Sequence, residues 1–132
     1  MYLNRLSDEE RGKFLELAGK LASCDGGLRE SENELVRSYM KEFSIDQIPE
    51  TDSLDALAEY FRNRDSSVRR IVLFEVCALI LADNDVGEEE QSAFDNIKRI
   101  LGLDEKETEE IISVANDLKI IHDRIGEIVL GE

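Results

Sequence analysis

Apolar side chains recur at spacings of three and four along almost the whole chain, the period of helices with one buried face. Ser7-Asp8-Glu9-Glu10 has the form of a capping box, in which a hydroxyl and a carboxylate satisfy the exposed amides of a helix start. Phe14, Leu17, Ala18, Leu21 and Ala22 then share one face. Asp25-Gly26-Gly27 ends that helix, because glycine tolerates the left-handed backbone of a helix exit. Leu35, Val36, Tyr39, Met40 and Phe43 make the stripe of a second helix. Ser44 to Asp52 contains the only proline, Pro49, shows no period, and reads as a connecting loop.

Asp52 or Ser53 is placed to cap a short third helix with Leu54, Leu57, Ala58 and Phe61 inward. Asp65 or Ser66 is placed to cap a fourth, running to Ala82. Apart from Glu75 that helix is apolar from Ile71 onward, so it is expected at the centre, surrounded by the others. Ala93, Phe94, Ile97 and Leu101 mark a fifth helix closed by Gly102. Asp104 starts a sixth, with Ile111, Ile112, Ala115 and Leu118 inward. The stripe resumes at Ile121, Ile125, Ile128 and Val129, either in the same helix or after a break near Asn116-Asp117. No alternating run or Asn-Gly hairpin signals a strand. The expected fold is all-α: a single compact bundle of about six to seven helices, residues 1–132 forming one domain.

The helices also repeat. Sliding the chain by 58 positions lays Asp25 on Asp83, Leu28 on Val86, Glu30 on Glu88 and Glu32 on Glu90. The flanks follow, with Leu15 on Leu73, Leu21 on Leu79, Val36 on Phe94, Phe43 on Leu101 and Asp46 on Asp104. One helical hairpin is used twice, with oxygen-rich side chains at each elbow, around the apolar central helix.

Charge narrows the partners. With 31 acidic against 16 basic residues the 132-residue chain carries −15, which repels phosphate backbones and anionic lipid. Nucleic acid is therefore not expected as a partner; cations and basic proteins are. The most apolar run, Ile71 to Ala82, is too short to span a bilayer, so no membrane insertion is expected. The start, from Met1 to Asp8, lacks the basic-then-apolar pattern of a signal peptide. Two cysteines, Cys24 and Cys77, make no disulfide framework, and a cytoplasmic, reducing location is the simplest reading.

Two readings of the acidic elbows stay open. Carboxylates at a helix start are stabilising by roughly 0.3–1 kcal/mol each, so the acids need no ligand. Yet Asp83, Asp85, Glu88, Glu89 and Glu90 place five acids within eight residues, and a hard cation such as Ca²⁺, Mg²⁺ or Mn²⁺ would relieve their repulsion. On that reading the metal ligands are Asp83, Asp85 and Glu90, with Asp25 and Glu32 secondary. The elbows are not EF-hands. Counting from Asp83, the sixth residue is Glu88 instead of glycine and the twelfth is Phe94 instead of glutamate. Cys24, Cys77 and His122 show no zinc spacing.

The paired elbows resemble the tellurite-resistance TerB-like family, whose helical hairpin reads roughly Ala-Asp-Gly, an apolar residue, then Glu, in two copies. Cys24-Asp25-Gly26 with Leu28 and Glu32 is the first copy here; Ala82-Asp83-Asn84 with Val86 and Glu90 is the second. The similarity covers about residues 10 to 118. It implies a compact helical domain, an association with tellurite and general stress resistance, and acidic residues suspected of metal binding, here Asp25, Glu32, Asp83 and Glu90. Cys24 stands in place of alanine and Asn84 in place of glycine. Asn also tolerates a left-handed turn.

No constellation supports catalysis. His122 has no activated nucleophile pattern near it, and Gly26-Gly27 is an isolated pair, so an enzyme is not expected. Arg62, Arg64, Arg69 and Arg70 form the one basic cluster, read as a helix-end cation and ion-pair partners. Tyr2, Leu3 and Leu6 either staple the first helix or mediate self-association. Two functions follow: a stress-resistance accessory protein with cation-binding elbows, or a metal-independent acidic module that docks basic or stress-response proteins.

Overall fold

The computed structural model describes residues 2–23, 30–48, 51–82 and 87–131, and of residues 30–33 only the backbone. Six α-helices are found among them: α1 (Asp8–Ala22), α2 (Glu30–Phe43), α3 (Leu54–Arg62), α4 (Ser66–Leu81), α5 (Glu88–Leu101) and α6 (Glu105–Leu130). A 3-10 turn, Leu3–Arg5, precedes them, and no strand occurs among the described residues. The capping box forms as expected. The Ser7 amide donates to Glu10 Oε1 at 2.8 Å and the Glu10 amide donates to Ser7 Oγ at 3.1 Å. Leu3 and Leu6 are buried, so they staple the start of α1 to the core.

The doubled hairpin is visible in the helix ends. A shift of 58 carries the starts of α1 and α2, Asp8 and Glu30, onto those of α4 and α5, Ser66 and Glu88, and Phe43 onto Leu101. Equivalent positions are buried together: Phe14 with Val72, Leu15 with Leu73, Leu21 with Leu79 and Tyr39 with Ile97. Even the exits match. Ser44, with φ of 56°, and Gly102, with φ of 69°, take the same left-handed conformation at equivalent positions. The likeness extends to a third helix, because α3 packs on α1 as α6 packs on α4.

α4 touches all five other helices and supplies Val72, Leu73, Val76, Cys77 and Leu79 to the core, as its near-continuous apolar character requires. Glu75 departs from the repeat. Where α1 has Leu17, α4 has Glu75, which is buried and accepts a hydrogen bond from the Tyr39 hydroxyl at 3.2 Å. Burial and the neighbouring carboxylate push the Tyr39 hydroxyl far above its ordinary pKa. That phenol stays a neutral donor.

Residues 44–48, 51 and 52 do more than connect. The far side of α1 carries Glu16, fully buried although it lies opposite the apolar stripe. Its carboxylate accepts the amides of Thr51 and Asp52 at 2.9 and 2.6 Å and the Thr51 hydroxyl at 3.2 Å, while Lys13 pairs with Asp52 at 2.8 Å. Ile48 lies over Gly19, where a Cβ would come within 3.3 Å of Ile48 Cδ1. The segment thus wraps α1 and is held by charge-assisted hydrogen bonds. The arginine cluster is likewise occupied. Arg62 and Arg69 donate to the α5 carbonyls of Ile100 and Leu101, Arg64 pairs with Glu10, and Arg70 pairs with Glu107.

Candidate functional site

Of the residues expected to bind a cation, Glu90 is the one whose side chain is described. It sits in the first turn of α5, directly after Gly87, and is only 1 % exposed, whereas Glu88 and Glu89 beside it are exposed. Asp25, Asp83 and Asp85 and the side chain of Glu32 lie outside the described residues, as does Cys24. Among the described residues no three His, Cys, Asp or Glu side chains gather closely enough to hold a metal ion.

The other buried ionisable groups are structural. Burial works to raise the Glu10 carboxyl pKa but is outweighed by the Ser7 amide and the Arg64 guanidinium, which leave it below the ordinary value. Burial pushes the Cys77 thiol up to about 12, the wrong direction for a nucleophile.

The feature that the fold leaves open lies on α6. In its first half Ile111 and Ile112 pack partly against the core and Ala115 is buried, the small side chain letting α6 lie close on α4. Beyond that point the expectation of an inward stripe is corrected. Leu118 is 38 % exposed, and Ile120, Ile121, Ile125, Ile128, Val129 and Leu130 are 54–71 % exposed. The reason is length. At 1.5 Å per residue α6 runs about 39 Å and α4 about 24 Å, so α6 outruns the helix it packs on. α6 is one unbroken helix through Asn116 and Asp117, and its last turns form an apolar arm.

A groove of about 450 Å³ opens at the root of this arm, between α2, α4 and α6. Phe74, Ala78 and Leu81 of α4, Leu35 of α2 and Leu118 of α6 give it apolar walls, with Glu34, Lys119 and His122 at the edge. Pocket and arm are continuous through Leu118. A cleft of this size, with apolar walls and a few polar groups, has room for the apolar side chains of a docked helix or for an apolar small molecule.

Periodicity marks these α6 residues as apolar, but it cannot say whether a partner element is present to cover them. The repeat holds the missing signal: α3 ends at Arg62, equivalent to Ile120, so residues 121–130 continue past anything the first copy contains. No described helix is long and apolar enough to cross a membrane. The chain matches no family model, no curated protein and no solved structure.

Proposed function

We propose that this chain is a non-enzymatic helical interaction module, an accessory protein that captures a partner helix along the α6 arm and the adjoining groove. The apolar face running from Val114 to Leu130 carries this reading, since an aliphatic patch of that extent on a water-soluble surface marks an interaction site. The resemblance of the elbows to the TerB-like family supports a role beside tellurite and general stress resistance. Away from the arm, the net charge of −15 supports basic proteins as further partners. In-cell photo-crosslinking tests the reading, with the reactive group at Ile125 and, as control, at Glu59. Protein adducts at Ile125 and not at Glu59 are expected; the absence of adducts at Ile125 overturns it.

The elbows carry a second reading. Asp83, Asp85, Glu88, Glu89 and Glu90 place five acids within eight residues, and a divalent cation bound by Asp83, Asp85 and Glu90 would relieve their mutual repulsion. Such an ion stabilises only the folded state, so Ca²⁺, Mg²⁺ or Mn²⁺ at millimolar concentration should raise the melting temperature over that in chelator. Asp83→Asn with Asp85→Asn should abolish the rise. A melting temperature indifferent to all three metals removes the cation from the account.

A further inference from the structure

One face of α6, half-buried at Ile111 and exposed from Val114 onward, has a finer pattern than amphipathicity. Ile111, Val114, Leu118, Ile121, Ile125 and Ile128 follow one another at spacings of three, four, three, four and three. That is the seam of a coiled coil, sustained over about three heptads. Among the described residues nothing covers this seam from Ile121 to Ile128, each 54–71 % exposed. A seam of this strictness calls for another helix of the same period, and α6 itself is such a helix.

Charge points the same way. The whole chain carries −15, but residues 116–130 hold three acidic and two basic side chains, so the arm is the nearly neutral part of an acidic protein. Two like-charged molecules associate most readily where neither brings excess charge. Asp117 and Arg124 flank the seam on one side, at equivalent heptad positions one repeat apart, and both are exposed. An antiparallel pair about a twofold axis between Lys119 and Ile120 sets Leu118 against Ile121 of the second copy, Val114 against Ile125 and Ile111 against Ile128. The same register sets Asp117 and Arg124 of the second copy on one side of the seam, staggered by two residues, or about 3 Å along the axis, within reach of an ion pair that forms twice by symmetry. Val114, Leu118, Ile121, Ile125 and Ile128 along the seam are 38–71 % exposed, and a second copy seated there covers all five. A helix seated on the seam also covers Leu118 and His122, and with them the mouth of the groove.

We infer that the occupant of this face is a second copy of the chain, joined through an antiparallel α6–α6 coiled coil. This rests on the reading of the arm as an interaction site and names its partner. Sedimentation equilibrium on the full chain, from micromolar to about 200 µM, should give twice the 15.0 kDa monomer mass at the upper end. Ile121→Lys with Ile125→Lys places charge on an already exposed face, so it should leave the helical content intact and give monomers. Asp117→Arg and Arg124→Asp should each weaken the dimer on the order of tenfold, and the two together should restore it, since the swap re-forms the pairs only in the antiparallel register.

A wild-type monomer at about 200 µM, or a dimer indifferent to the two lysines, overturns the inference. Failure of the charge swap to restore association overturns the antiparallel register. The crosslinks at Ile125 separate this from the broader reading. Adducts of twice the chain mass support the second copy; adducts of other masses, together with a monomer in solution, leave the module and remove the homodimer. No adducts at all removes both.

Discussion

Replacing Ser44 by glycine is expected to make the protein more stable, an outcome few point substitutions produce. Ser44 ends α2 with φ of 56°, its amide donating to Lys41 and the next amide, of Ile45, reaching back to Met40 at 2.9 Å. Those main-chain bonds terminate the helix and survive the substitution. A residue with a Cβ in the left-handed region costs roughly 1–2 kcal/mol. Glycine removes that strain but gains about 0.5–1 kcal/mol of unfolded-chain freedom. The net is about 0.5–1 kcal/mol, or roughly 2–4 °C in melting temperature for a chain of this length.

The second copy supplies the mirror experiment. Gly102 occupies the equivalent position with φ of 69°, and a Cβ there would meet nothing closer than 3.6 Å, so Gly102→Ser tests the backbone conformation without a steric clash. It should destabilise by about as much as Ser44→Gly stabilises, and Ser44→Ala should change little. Urea unfolding with a shared m-value measures all three. A Ser44→Gly variant no more stable than wild type would refute both the left-handed exit and the equivalence of the two hairpins on which the repeat rests.

Two further outcomes follow from the buried carboxylates. Glu16→Ala removes the acceptor for two amides and a hydroxyl at the edge of the core and should cost about 2–3 kcal/mol in urea unfolding, whereas Glu16→Gln, with its oxygen at the position that accepts both amides, should cost only about 1 kcal/mol. Equal losses would show that the wrap of residues 51 and 52 does not depend on that oxygen. Because the folded Glu10 carboxyl lies below its ordinary value of 4.5, its contribution is complete above that pH and is lost as the pH falls through the lowered folded value. Glu10→Gln should therefore flatten the acid limb of the stability curve between about pH 5 and 3 relative to wild type, and parallel curves would refute its role.

What the sequence determined by itself is the helical class, the order of the helices and the doubling, while one helix or two beyond Asp104 stayed open until the structure showed α6 unbroken. Each of these is written in local signals: the capping box at Ser7, the Ser53 cap of α3, the stripes of α1, α2 and α5, and the register of 58 that the helix ends reproduce. The arm was not legible as a site, since periodicity carries the inward stripe on through Ile121, Ile125 and Ile128 without indicating what they meet.

Only the tertiary structure decided that those residues face water and that a groove adjoins them. It also decided that Glu16 holds residues 51 and 52 and that Glu75 meets Tyr39 across the core. These depend on which elements stop where: α6 extends past α4, and Ile48, Thr51 and Asp52 lie against α1. A hydrophobic period records a residue's preference for burial, which is local. Whether a neighbour arrives to bury it is set by the lengths and crossings of other helices, and no single stretch of chain encodes that.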